Sequence, residues 1–507
     1  MRDYVMMWNS VAIELNRRDH TGKMNAKNNK GPTKSSRALA IVHIAMHDAF
    51  FGLKNRPSFV VPTIDGLRNP INPYLGAALP AAADWSDENV AGAVSGAASK
   101  VLLVLYPDFE YLIQDALRGF DFGINHPGFT FGEKVAEAVL NLRNGDGSED
   151  NGNVTAIKAF WRHREDPTDL GQGLLGERWG AVKPFSMAAI PPIADHPAPR
   201  SAAYNDAHNE VRVKGSLNPT PGTPGVTFEQ RTPYETTVGI YWAYDGASQI
   251  GTPPRLYNQI IREIIARNLG RANPNRQAVS ARLLALANVA MGDAGIAAWY
   301  HKYVYQLWRP ILGIREYDDS FWMNNQAQSS FGLHPLADPW WIPLGAPRTN
   351  EPGRDSFTPP FPAYPSGHAT FGAAAFEVTR RFFGFKKNQM DDLRFDFVSD
   401  ELDGRSIAQD GSFRGRHIRR YNSLMQAIFD NSVSRVFLGV HWRFDGIGEN
   451  VKNAAGILTD TSNIGGVPLG RAIANQIYDN GMVKSSAGPA QIEPKDLPGV
   501  NLPPLRP

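Results

Sequence analysis

A chain of 507 residues with 42% hydrophobic content can bury a large core or two packed sub-domains, and its composition is ordinary for a soluble globular protein. Its 52 basic and 50 acidic residues leave a formal charge of +2, too balanced for a general nucleic-acid binder. The absence of cysteine excludes disulfides, thiolate metal sites, attached c-type haem and cysteine nucleophiles together.

The N-terminal stretch MRDYVMMWNSVAIELNRRDH has Asp3 near its start and Asn9, Glu14 and Asn16 among its apolar residues, so no secretory signal is expected. Apolar periodicity predicts amphipathic helices over residues 36–51, 90–105, 132–142 and 256–269. His43 and His47 have the i, i+4 spacing of metal ligands and Asp48 adjoins them. No glutamate follows His43 and the helix is strongly apolar, so a packed, internally hydrogen-bonded role is expected instead. Gly- and Pro-rich stretches at 144–192 and 218–223 read as connections between helices rather than boundaries of independent domains.

The longest helical pattern begins at Asn273-Pro274, carries an apolar stripe of Val279, Leu283, Leu286 and Ala290, and can be followed to Trp308. Pro310 biases Arg309 away from helical geometry and marks an end or a kink. Even the most apolar part of this pattern contains Arg282, Asn288 and Asp293, so no membrane span is expected. Arg414, Arg416, Arg419 and Arg420 form a local basic cluster; Asp391, Asp392, Asp400 and Glu401 precede it, which favours a solvated loop over a nucleic-acid surface. From Ala487 onward the chain is Pro-rich and aperiodic, an extended wrap or a disordered tail. Strand patterns are few and no internal repeat is present, so the expected fold class is all-α. The expected division is a helical part over 1–200, a helical part carrying the site over 201–470, and a tail over 471–507. A soluble protein is expected, secreted or cytoplasmic.

Three short segments concentrate the residue types that bind a tetrahedral oxyanion: KYVYQLWRP from Lys302, PSGH from Pro365 and SRVFLGVHWRFD from Ser434. Together they supply one lysine, three arginines, two histidines and several serines and glycines. On one continuous helix Lys302 and Arg309 would lie two turns apart, about 10 Å along the axis, and could converge on one anion; two exposed cations at a helix end is the simpler reading. Ser366, Gly367 and His368 fall where prolines give way to an Ala-rich run, hence at a helix N-terminus that favours an anion, or at an ordinary serine cap. Arg435 and His441 would not share a face of an uninterrupted helix, but Gly439 offers a break. A helix ending near Val440 would turn His441 toward the anion that Arg435 contacts, with Asp445 or a backbone carbonyl orienting its other ring nitrogen.

The pattern K-x6-RP, PSGH, SR-x3-G-x-H-x3-D resembles the superfamily shared by vanadium-dependent haloperoxidases and type 2 phosphatidic acid phosphatases. The longer stretches IYWAYDGASQIGTPPRLYNQIIR, TPPFPAYPSGHATFG, NSVSRVFLGVHWRFD and IGGVPLG look like the fungal vanadium chloroperoxidase group. WNSVAIELNR and RALAIVHIAMHDAFF extend the likeness to the N-terminal half, while residues 54–200 match poorly.

That resemblance implies an all-α fold of two four-helix bundles and a vanadate cofactor, with His441 as the vanadium ligand. Lys302, Arg309 and Arg435 would neutralise the vanadate oxygens, Ser366 and the Gly367 N–H would donate to them, and His368 would be the acid–base group. Asp245 looks like the carboxylate partner of Arg435. Trp299, Pro359 and Pro360 would line the apolar side of the halide pocket. Phe361, seven residues before His368, matches the chloroperoxidase pattern, whereas related bromoperoxidases tend to carry histidine there.

The implied reaction uses hydrogen peroxide to oxidise chloride or bromide to hypohalous acid, which reacts with a small organic acceptor; V(V) serves as Lewis acid. A chain without thiols suits an enzyme that makes such an oxidant. Three alternatives stay open: a bromoperoxidase without chloride activity, an acid phosphatase with His441 as nucleophile, and a non-enzymatic oxyanion binder. The doubled histidines count against the last, since binding alone needs no acid–base group. Neither nucleic acid nor a membrane is an expected partner.

Overall fold

Prolines and small polar caps set where this chain starts its helices. In the computed structural model, which describes residues 3–21, 28–59, 64–68, 70–119, 126–150, 159–218, 228–270, 272–318 and 333–496, the N-terminal part comprises α1 (Tyr4–Asp19), α2 (Gly31–Phe51), α3 (Asp87–Leu105), α4 (Glu110–Arg118) and α5 (Pro127–Arg143). Then follow α6 (Ala202–Lys214), α7 (Pro233–Tyr241), α8 (Pro253–Asn268), α9 (Arg276–Tyr305) and α10 (Pro310–Glu316). The last five are α11 (Gly367–Phe382), α12 (Leu424–Phe437), α13 (Arg443–Gly446), α14 (Ala454–Thr459) and α15 (Gly466–Asp479). Helices α2, α5, α7, α8 and α10 have proline in the first turn, where its missing N–H costs nothing. Asp3, Ser86, Ser201, Ser366, Ser423 and Asn453 cap others through their side chains, and Thr232 caps α7 in addition to its proline.

The fold is all-α, and the helices gather in two groups. In the first, α2, α3 and α5 pack on one another with α1 alongside; in the second, α11 packs against α9, α15, α12 and α8. The 30-residue α9 belongs to both, because its other side lies along α2. Helices α3 and α9 are long and apolar enough to cross a membrane, yet both lie mostly buried inside the body.

Several polar groups inside this core are paired across helices. Asn9 Nδ2 lies 2.9 Å from His43 Nε2 and donates to Asn258 Oδ1, and Asn258 and Asn288 bond each other, so one ladder ties α1, α2, α8 and α9. His47 lies 2.8 Å from Asp48 and accepts from Arg282. Both histidines are therefore structural, as expected. Asp293 accepts from the N–H groups of Phe185, Ser186 and Met187, anchoring that loop to α9. Among the described residues no cluster of three or more histidine or acidic side chains could hold a metal cation.

Three expectations are corrected. The pattern followed to Trp308 stops at Tyr305: Gln306 is left-handed (φ 49°), and Leu307 pairs with Arg162 in an isolated antiparallel β-bridge. Lys302 and Arg309 thus do not share a helix; Arg309 is the extended N-cap (φ −80°, ψ 159°) of the short α10 that Pro310 starts. The third segment's helix ends at Phe437, not Val440. The basic cluster is not a solvated loop: Arg419 and Arg420 lie on β2 (Ile418–Tyr421), paired antiparallel with β1 (Phe395–Val398). Arg419 is bonded to Asp430 and Arg414 to Glu401, so these two are paired rather than solvated, while Arg416 and Arg420 are exposed as expected.

The tail from Ala487 to Asp496 is an extended wrap, with the Lys495 N–H on the Val304 carbonyl. The last eleven residues, and most of the 218–223 connection, lie outside the described residues.

Candidate active site

Backbone contacts knit the three motif segments together. Lys302 Nζ, at the end of α9, donates to the carbonyls of Pro362 (2.6 Å) and Ala363 (3.0 Å). Arg309 Nε donates to the Phe361 carbonyl and Nη1 to that of Val440, both at 2.8 Å. The Ser366 N–H donates to the Asp445 carbonyl at 2.7 Å. The run from Phe361 to Ala363 is thus held by both cations of the first segment and leads to Ser366, which is tied to the third segment.

Ser366 caps α11, accepting from the Ala369 N–H at 3.4 Å, so the ordinary cap is real. The cap leaves its hydroxyl proton free to donate. Gly367 and His368 open the helix, and the N–H of a first helical residue has no acceptor within the helix. Two glycines of the IGGVPLG stretch explain the position of this helix start. A Cβ on Gly466 would lie 2.5 Å from the Ser366 carbonyl oxygen, and one on Gly470 would lie 2.3 Å from that of Thr370. Only a bare backbone lets α15 approach α11 so closely.

His441 follows the break foreseen at Gly439, whose φ of +72° is left-handed. Its Nδ1 lies 2.8 Å from Asp445 Oδ2, which also accepts from the Trp442 N–H. With that proton on Nδ1, Nε2 carries the lone pair, and it accepts from Arg309 Nη1 at 2.9 Å. Burial, then the nearby Arg309, hold the His441 imidazole well below its usual pKa, so it is neutral. Burial pushes the Asp445 carboxyl up to about 7, against the pull of Lys302 and Arg309.

His368 Nε2 lies 2.5 Å from the Ala243 carbonyl. A carbonyl only accepts, so the proton sits on Nε2 and Nδ1 keeps a lone pair. Burial, then Arg435, push this ring down to about 3. The hydroxyl of Tyr257 and the amide of Asn431 both donate to the His368 carbonyl and fix the first turn of α11. Arg435 forms a two-pronged pair with Asp245, at 2.8 and 3.0 Å.

Lys302, Arg309 and Arg435 are all buried, facing two carboxylates, Asp245 and Asp445. Burial, and next Arg309, push the Lys302 ammonium well below its usual value; burial lowers Arg309 to about 9. Arg309 Nη2 and Arg435 Nε are buried without a hydrogen-bond partner, and Lys302 uses two of its three N–H groups on carbonyls. Buried cations with unused donors are costly unless an anion meets them. An imidazole lone pair that meets only the Arg309 guanidinium, spare cationic N–H groups and a helix start are a donor set that fits vanadate.

Beside these groups lies a cavity of about 190 Å³. The expected residues Asp245, Trp299, Pro359, Pro360, Phe361, Gly367, His368, Arg435 and His441 all line it. Lys302 and Arg309 are held behind, against the Phe361 ring. Motif reasoning missed His20, Lys30, Pro32, Leu175 and Phe357, which also line it. Leu175 comes from the poorly matching 54–200 region, and its carbonyl accepts from Trp299 Nε1 and Tyr303 OH. Phe357 borders the TPPF stretch, a signal that was present; Lys30 and Leu175 sit in loops whose composition marks nothing.

Comparisons with known proteins agree on the family. The family profile described as VCPO second helical-bundle domain matches residues 282–454, and that of the vanadium chloroperoxidase N-terminal domain matches residues 1–172. The vanadium chloroperoxidase of Curvularia inaequalis is 30% identical, over 97% of this chain and 92% of its own length. Among solved structures, a bacterial vanadium-dependent iodoperoxidase superposes with a TM-score of 0.60 at 19% identity, covering 94% of this chain and 95% of its own. A holo-type bacterial vanadium-dependent chloroperoxidase gives 0.53 at 14% identity, covering 92% and 96%. These last two likenesses concern the fold. With a curated relative matched along nearly its whole length, this chain belongs to the vanadium chloroperoxidase family of vanadium-dependent haloperoxidases.

Proposed function

We propose that this chain is a soluble, vanadate-dependent chloroperoxidase that converts hydrogen peroxide, halide and a proton into hypohalous acid and water. The observation that carries this reading is the neutral His441, its lone pair on Nε2, beside buried cations with unused donors. When bound, vanadate supplies a Lewis-acidic V(V) that makes peroxide electrophilic without itself changing oxidation state.

The chain's own residues do the rest. His441 Nε2 holds the cofactor, and Asp445 fixes its tautomer. Lys302, Arg309 and Arg435 offset negative charge on the oxyanion, and the Ser366 hydroxyl and Gly367 N–H orient it. His368, which burial pushes toward the unprotonated form, would take a proton from incoming peroxide at Nδ1 and return it as product forms. Trp299, Pro359, Pro360 and Phe361 give halide a water-poor approach, and a weakly solvated anion is a better nucleophile. Phe361 supports chloride as a substrate beside bromide. Hypohalous acid then leaves and reacts with a small organic acceptor.

The test divides one cofactor-free preparation in two. With vanadate, peroxide and chloride, one half is expected to chlorinate a phenolic acceptor. The other, without vanadate, receives a phosphate monoester, and no comparable turnover is expected. Phosphate hydrolysis without halide oxidation would assign His441 as a phosphoryl nucleophile instead.

A further inference from the structure

The walls of the 190 Å³ cavity are mostly apolar, and their charges nearly cancel. Asp245 and Arg435 neutralise each other in their two-pronged pair. His20 is held below its usual pKa chiefly by burial and adds no charge. The Gly31 N–H, at the start of α2, is taken by His20 Nε2 at 3.1 Å, so that helix end offers no first donor to an anion. Lys30 remains. Of the charged residues that line the cavity, it is the one with no ion pair among the described residues. It is half-buried, on an extended backbone, whereas Arg435 and His441 are buried. Lys30 therefore stands nearer solvent than the oxyanion-binding groups.

A single uncompensated charge between low-dielectric walls focuses the field along the cavity and concentrates small ions of opposite sign. The volume suits a halide, a peroxide and a few waters rather than a bulky acceptor. We propose that Lys30 is a specificity-determining residue for halide: an outer anion station, separate from the vanadate-binding cations, that captures chloride or bromide and passes it inward. This rests on the haloperoxidase reading above. It adds a residue that neither the oxyanion motifs nor the halide pocket contain.

The test compares vanadate-loaded wild type with Lys30→Gln, Lys30→Glu and Lys30→Arg. Lys30→Gln is expected to lower kcat/KM for halide about three- to tenfold, and Lys30→Glu by more. The salt dependence of that parameter should flatten, while kcat at saturating halide, KM for peroxide and vanadate affinity stay unchanged; Lys30→Arg should keep most of the activity. A readout without turnover uses bromide-soaked crystals of the cofactor-free protein, where anomalous scattering is expected beside Lys30 Nζ and is lost in Lys30→Gln. Wild-type halide kcat/KM in both Lys30→Gln and Lys30→Glu overturns the assignment, and so does a bromide peak with no kinetic effect, an adventitious ion only. A wild type that oxidises no halide at all overturns the functional reading first.

Discussion

Asp445 Oδ2 lies 2.8 Å from His441 Nδ1, and that single contact decides which imidazole nitrogen faces the cation cluster. Asp445 also accepts from the Trp442 N–H, so carboxylate and ring turn as one unit. Replacing it with alanine frees the tautomer and leaves the ring to rotate. Asp445→Ala is expected to weaken vanadate binding by about 10- to 100-fold. Asp445→Asn, which can still accept at Nδ1–H, should lose less. Equilibrium dialysis with vanadate checks both; equal affinity in all three proteins would remove Asp445 from its orienting role.

Phe361 lies 4.8 Å from the Trp299 ring centre and covers both Lys302 and Arg309. A histidine there brings a polar, hydrated edge into the halide approach, which penalises the harder-to-oxidise chloride more than bromide. Phe361→His is expected to lower the ratio of chloride to bromide kcat/KM, read from parallel halogenation assays. An unchanged ratio would detach Phe361 from halide choice.

Gly466 presses on the helix start that holds Ser366. An added methyl would sit 2.5 Å from the Ser366 carbonyl oxygen and 2.7 Å from Thr370 Oγ1, both in fixed structure. Gly466→Ala should destabilise the protein by about 1–3 kcal/mol and also raise the vanadate Kd, because relief of the clash moves Ser366. A lowered Tm with unchanged vanadate affinity would show that α15 does not position the site.

Several buried histidines give stability a definite pH dependence. Burial lowers His43, His196 and His301 to about 4 and His208 to about 3, so each is neutral in the fold but titrates near 6.5 once unfolded. Unfolding then takes up protons between pH 6.5 and about 4. Their stabilisation is complete above the unfolded value and is lost as pH falls through that window, by up to about 1.4 kcal/mol per pH unit for each proton taken up. His20, His47, His163, His368 and His441 are lowered as well, so nine histidines act in this direction against six carboxyls that burial raises, Asp3, Asp293, Glu401, Asp430, Asp445 and Glu449. Tm of the cofactor-free protein should fall on going from pH 7 to pH 5; a rise would reverse the argument.

Convergence of the motifs was legible because each carries its own geometry: a proline-ended run before a cap at Ser366, a glycine break before His441, and a carboxylate four residues on. The path between motifs was not. Arg309 reaches the site from an extended residue after a left-handed Gln306, a turn that local periodicity does not encode. The carbonyl of Ala243, which fixes the proton on His368, is backbone and has no sequence signature. Lys30 and Leu175 join the cavity only because α2 and the 159–200 loop pack over it, a long-range outcome of core packing. Arg414 and Arg419 looked solvated because their partners, Glu401 and Asp430, lie 13 and 11 residues away, across turns rather than along a helix face.

The most direct measurement is vanadium bound per chain after dialysis, in wild type and in His441→Ala. One vanadium per wild-type chain, with none retained by a His441→Ala protein of normal far-UV circular dichroism, is the expected result. Full vanadium retention by His441→Ala would contradict the assignment of His441 Nε2 as the atom that holds the cofactor.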